Sequence, residues 1–272
     1  MAGEVERPRP QRHAGPGGRP DQPPDLPPHI ASELATAAGP DWGMLKARVT
    51  ERMAAAVGAY ERDRFRDAGR MVKVVVDLLP NAPSVRELAG LSQYRQGYWR
   101  AAIVNLEAFA QLTGSVDQHP VRMDCERALG HRRKVEALWH ELRTGSPDPE
   151  VLAEGRLVLA GTLADDGDLA EAIDLLVKAG AGRLVRHPAE RHLRQWYVLG
   201  DLMERSGELS RARELFSRID VVEPDAYDVT DRLEALGPAT PQRVRGRSRG
   251  APAARQGDVR KGGQGPFDGP KR

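Results

Sequence analysis

A spacing of large, small and helix-ending residues between positions 196 and 224 constrains this chain more than any other feature. Trp196-x2-Leu199-Gly200 is followed by Ala212-x3-Phe216 and then by Pro224. Trp196, Leu199, Leu209 and Phe216 fall at helical spacing, which predicts two helices with apolar faces turned toward each other. Gly200 and Ala212 are small, as close approach of two helix backbones requires. Gly207 can take a positive φ and so ends the first helix. Pro224 cannot continue the second.

The pattern recurs upstream. With the turn residue as anchor, Gly167 precedes Gly207 by 40 residues, and Leu159, Leu163, Leu169, Ala172, Leu176 and Ala179 occupy the equivalent core places. The Gly180 to Pro188 connection absorbs the extra length. Gly97 anchors another unit with Gly90, Trp99, Ala102, Leu106 and Phe109. Asp63, 34 residues before it, anchors one with Ala56, Phe65, Ala68, Val72, Val75 and a closing Pro80. A less regular unit spans Pro120 to Arg143, with its turn near Gly130 and with Leu129, Val135, Leu138, Trp139 and Leu142 around it. Five helix pairs are expected.

This signature and its period resemble the tetratricopeptide repeat over residues 42–224. The resemblance implies an all-α, right-handed α-solenoid over residues 41–237. Asp225 to Leu236, with Ala226, Val229, Leu233 and Leu236 on one face, is the expected capping helix over the last apolar surface. At the other end, His29 to Ala38 is either a short helix covering the first repeat or part of a disordered lead-in. Residues 1–40 are Pro-rich at their start and residues 238–272 are rich in Gly, Pro and Arg. Neither stretch carries enough apolar surface to offset chain entropy, so both are expected to be disordered.

The net charge of +2 conceals an asymmetry: residues 238–272 hold nine basic residues against Asp258 and Asp268, leaving the repeat body mildly acidic. Arg243, Arg245, Arg247 and Arg249, interleaved with Gly and Ser, resemble the RG segments that meet RNA. They are the candidate nucleic-acid contacts, and the opposing reading is a solvated terminus. No apolar run approaches the roughly 20 residues a membrane span needs. A basic-then-apolar leader is lacking, and the single Cys125 allows no internal disulfide. A cytoplasmic protein is expected. Only six of the 41 basic residues are lysine, a bias that suggests a GC-rich bacterial genome of actinobacterial type.

Catalytic groupings are sparse. Asp165-Asp166-Gly167-Asp168 lacks the ligand order of a calcium loop and sits where a repeat turn belongs, so helix capping is expected of it. His187 and His192 flank Pro188, which spoils the geometry of a helical metal pair. His131 and His140 have no ligand set around them, and Cys125 reads as a small buried apolar residue. No catalytic residue, cofactor or metal is expected.

The family resemblance therefore implies a protein-protein interaction scaffold. In this family the first helix of each pair lines a concave face that contacts a peptide. The matching positions here are Glu87, Leu91, Tyr94 and Arg95 in the second unit, Asp124 and Arg127 in the third, and Tyr197, Asp201, Glu204 and Arg205 in the fifth. For Tyr94 and Tyr197 the competing reading is packing between adjacent repeats. The clamp for a C-terminal carboxylate is not expected, because the corresponding places hold Met53, Val57, Glu87 and Leu91. Two further readings stand beside the scaffold: a nucleic-acid- or ribosome-associated factor acting through the basic tail, and homo-oligomerisation through an exposed solenoid end.

Overall fold

The computed structural model describes residues 25–39, 43, 45–145 and 147–237. These form twelve helices and no strand. A leading helix α1 (Pro28–Ala38) precedes five pairs: α2 (Leu45–Glu61) with α3 (Phe65–Leu78), α4 (Pro83–Arg95) with α5 (Trp99–Thr113), α6 (His119–Ala128) with α7 (Arg132–Thr144), α8 (Pro149–Asp165) with α9 (Leu169–Lys178), and α10 (Glu190–Arg205) with α11 (Leu209–Val222). A final helix α12 (Val229–Ala235) follows. Each helix packs on the next from α2 to α12, and consecutive first helices of the pairs also touch, which is an α-solenoid.

The five turns inside the pairs have one geometry. Asp63, Gly97, Gly130, Gly167 and Gly207 all take positive φ, between 58° and 92°. At each, two backbone bonds close the first helix. Tyr98 N–H, for example, donates to Gln93 O, and Gly97 N–H donates to Tyr94 O. The same pair of bonds recurs at the other four turns. This is the Schellman arrangement, which satisfies carbonyls that the helix end would otherwise orphan. Asp63 does without glycine because Asp tolerates the left-handed region better than most residues.

Helix approach within the pairs depends on small residues. A Cβ on Gly200 would lie 2.7 Å from the Phe216 ring, and one on Gly90 would lie 2.6 Å from Leu106. Trp196, Leu199, Ala212 and Phe216 are 1% exposed or less, at the centre of a core that runs from α8 to α12. Trp196 also donates its indole N–H to Arg183 O at 3.2 Å, and Arg218 donates to Gly182 O at 2.8 Å. The long connection after α9 is thereby pinned to the last pair. In the third pair, whose first helix is the shortest of the five at 10 residues, Val135 and Leu142 are fully buried.

Three expectations need correction. Leu209 is 51% exposed and takes no part in the core, because it is the first residue of α11 and projects past the end of α10. Asp168 stands at the N-cap of α9 but makes no side-chain cap bond; Asp166 and Asp168 instead each accept from Arg132 Nη1 at 3.0 Å. Residues 28–38, inside the stretch 1–40, form α1, so of the two readings of this segment the covering helix is what is found. At the other end α12 buries Val229, with Ala226 just before it and Leu233 and Leu236 packed alongside. Residues 1–24 of the N-terminal stretch and all of the C-terminal stretch 238–272, both expected to be disordered, lie outside the described residues.

Candidate protein-interaction face

Helices α2, α4, α6, α8 and α10 pack on one another in succession, and the residues that the resemblance assigns to binding belong to α4, α6 and α10. The structure engages most of them with the neighbouring repeat. From α4 to α6, the Tyr94 hydroxyl donates to Asp124 Oδ2 at 2.6 Å, and Gln118 donates to Glu87 Oε1 at 2.7 Å. From α6 to α8, Arg127 Nε donates to Asp165 Oδ2 at 2.7 Å, while its guanidinium occupies the space above Gly161. Arg127 also reaches Asp124 at 3.4 Å. A chain of polar contacts thus crosses two successive joints.

The C-terminal joints are built similarly. Arg191 and Arg194 on α10 donate to Glu150 and Glu154 on α8, each at 2.8 Å, and Arg205 donates to Ala164 O at 3.2 Å. From α10 to α12, Arg232 meets Asp201 at 2.9 Å and Glu204 at 2.8 Å. The Arg232 guanidinium also lies 5.6 Å from the Tyr197 ring centroid, a cation–π arrangement. Tyr197 donates to Asp228 at 2.7 Å and packs on Tyr227 with centroids 4.6 Å apart. At the first joint, Arg95 sits 4.1 Å over the Phe65 ring and 3.6 Å from Asp63. Both tyrosines thus make contacts across the joints and remain partly exposed.

Burial shifts several groups. It pushes the Tyr197 phenol well above its usual range, and the hydrogen bond to Asp228 adds to that. Burial also raises the Glu87 carboxyl, a rise that the Gln118 hydrogen bond opposes. Leu91 on α4 and Leu157 on α8 are half-buried, and Leu157 packs against the core that runs from α8 to α12. Arg243, Arg245, Arg247 and Arg249 lie outside the described residues.

Other candidate chemistry resolves into similar contacts. His131 and Lys134 both meet the buried Glu126, at 2.6 and 3.2 Å. His192 accepts from Ala189 N–H at the start of α10, and His140 and His187 are exposed. Cys125 is buried. Among the described residues no three His, Cys, Asp or Glu side chains gather as a metal-ligand group, and no helix is long and apolar enough to cross a membrane.

The sequence reading missed Arg191, Arg194, Arg232 and Asp228, which complete the joints. A signal existed: opposite or complementary polar residues separated by about one repeat. The separations are 30 residues for Tyr94 and Asp124, 31 for Asp201 and Arg232, 38 for Arg127 and Asp165, and 40 for Glu154 and Arg194.

No family model and no curated protein matches the chain. Among solved structures, it is similar to a thermophilic tetratricopeptide-repeat protein of Thermus thermophilus, with a TM-score of 0.55 and 16% identity. The match covers 69% of this chain and 98% of that one. At this identity the likeness shows a tetratricopeptide-like fold.

Proposed function

We propose that this chain is a cytoplasmic, non-enzymatic scaffold that holds a protein or peptide along the face formed by the first helices of its repeats. The observation that carries this reading is the stack of five consecutive first helices, which keep partly exposed side chains and whose spacing the polar joints fix. A surface with locked side chains loses little further entropy when a partner is ordered on it. The titratable clusters that the structure assembles support a non-enzymatic role, since their acids are mostly matched to arginine, lysine or histidine across helices. The single, buried Cys125 is in keeping with a reducing compartment.

Because Tyr94 and Tyr197 hold joints together, replacing them by alanine would confound binding with folding. Leu91→Ser and Leu157→Ser together change two half-buried side chains of the first helices and none that makes a polar bridge; because Leu157 also packs on the core, the single Leu91→Ser variant is measured beside the double one. In capture from host lysate with the full chain, the double variant is expected to retain about tenfold less of the principal partner, the effect of losing roughly 1.4 kcal/mol. Its far-UV circular dichroism should match the wild type. Undiminished capture with an intact spectrum refutes the assignment.

A further inference from the structure

Helix α1 does not belong to any pair, and it lies across two of the first helices, α2 and α4. Leu34 is its one fully buried residue, at 1% exposure, inserted into a cluster with Val49 and Met53 of α2 and Val85 of α4. Leu26, Ile30 and Ala38 are partly buried against the same cluster, so the segment presents one aliphatic stripe at helical spacing. Beside Leu34, the Glu33 carboxylate accepts from the Ser84 backbone N–H at 2.9 Å and from the Ser84 hydroxyl at 2.5 Å. Helix α4 begins after Ala82, which has no side chain able to cap it. Glu33 supplies that cap from 51 residues away. An acid at a helix N-terminus is favoured both by the orphan N–H groups and by the helix dipole. Glu87, one turn further along the same face of α4, feels the Glu33 charge.

We propose that α1 is a displaceable occupant of a helix-binding groove across α2 and α4, and that the partner it keeps out is an amphipathic helix of the same pattern: two large aliphatic residues one turn apart, with an acid beside the second. This rests on the scaffold reading above and adds regulation to it. Met53, in the same cluster as Leu34, belongs to α2, and Ser84, which Glu33 clamps, belongs to α4. The hold on α1 is one fully buried side chain, Leu34, three partly buried ones, Leu26, Ile30 and Ala38, and the Glu33 carboxylate, against a core of eighteen buried residues at the C-terminal end. An open recess lined by Leu26, Lys46, Ala47, Thr50 and Ala54 lies beside the segment entering α1 and gives an incoming helix a place to start. The connection from α1 to α2 is only residues 39–44. A short tether gives an effective concentration on the order of 1 mM. A helix that binds with a Kd of about 10 µM when separate is then held about 99% in place, and a competitor from outside is weakened about 100-fold.

The test uses the full chain and a fluorescein-labelled peptide of residues 25–39 as probe. Fluorescence anisotropy should show binding to Leu34→Asp at about 10 µM and at least 30-fold weaker binding to the wild type. Glu33→Ala, which removes the clamp and keeps the aliphatic stripe, should fall between them. Hydrogen exchange on the wild type gives an independent reading: amides of 30–38 should exchange at least about 100-fold faster than those in the middle of α2 and α4. Exchange of α1 in step with α2 and α4 overturns the proposal, since α1 is then an inseparable part of the fold. Failure of the peptide to bind a folded Leu34→Asp chain overturns it as well. Either result leaves the scaffold reading standing if the Leu91 and Leu157 variant still loses its partner. Persistence of displacement with no loss in that variant sinks the scaffold reading instead.

Discussion

At the scale of single residues, two glycines of the last pair serve different ends, and substitution separates them. Gly207 has φ of 84° and open space where a Cβ would stand, so Gly207→Ala meets only backbone strain, about 1–2 kcal/mol. Gly200 has an ordinary helical backbone and the Phe216 ring 2.7 Å from its would-be Cβ, so Gly200→Ala overpacks the core by about 1–3 kcal/mol. In urea unfolding, Phe216→Leu should relieve part of the Gly200→Ala loss and none of the Gly207→Ala loss. Equal behaviour of the two double variants contradicts this division. His119 offers a second test. It is 4% exposed, its Nε2 lies 3.1 Å from Glu141, and its Nδ1 has no partner among the described residues. Burial holds its pKa below the ordinary value of 6.5; the Glu141 hydrogen bond opposes that shift, while the Arg122 charge reinforces it and the Asp117 charge resists it. The unfolded chain therefore takes up the proton first as pH falls. The stability is complete above about pH 6.5 and declines below it, by at most about 1.4 kcal/mol per pH unit, until the folded histidine also titrates. Glu87, whose carboxyl is raised, pulls the other way. The readout is thus the difference between wild type and His119→Gln, with the wild type losing more stability from pH 7 to pH 5.5. Parallel curves disprove the assignment.

At the scale of elements, the pairs were legible in the sequence because backbone requirements leave few choices. Positive φ selects Gly or Asp at positions 63, 97, 130, 167 and 207, and close approach selects small residues at 90 and 200. Those constraints are local and show in a single chain. What links one pair to the next was legible only as a spacing of complementary polar residues about one repeat apart, since Arg127 meets Asp165, and Arg232 meets Asp201, only once the helices are stacked. A charged residue on a first helix looks the same in sequence whether it faces a partner or a neighbouring repeat. The α12 joint makes this measurable. Arg232, Asp201 and Glu204 are each less than a third exposed, and removing the cation leaves two partly shielded carboxylates facing each other. Arg232→Met is expected to destabilise the last pair by about 1–3 kcal/mol. By hydrogen exchange, protection should fall in α10 to α12 while that of α2 to α5 stays unchanged. A uniform loss along the chain would show instead that the stack melts as one unit.

Across the described residues, the arrangement is five helix pairs of one kind closed at the C-terminal end by α12 and engaged at the N-terminal end by α1. The two end helices differ in kind. Helix α12 is joined through Arg232, Tyr197 and a continuous core, whereas α1 is held by Leu34, by the partly buried Leu26, Ile30 and Ala38, and by Glu33. The bridges on the first-helix face have a mechanical consequence. Each spans a single joint, so a pull applied at one repeat is borne by the adjacent joints in series. In a series of links the load is common to all and the extensions add, and the softest link governs how far the stack gives. A partner gripping two distant repeats would therefore stretch the weakest joint between them first, and the tension it imposes would be recorded as strain at that one place along the chain.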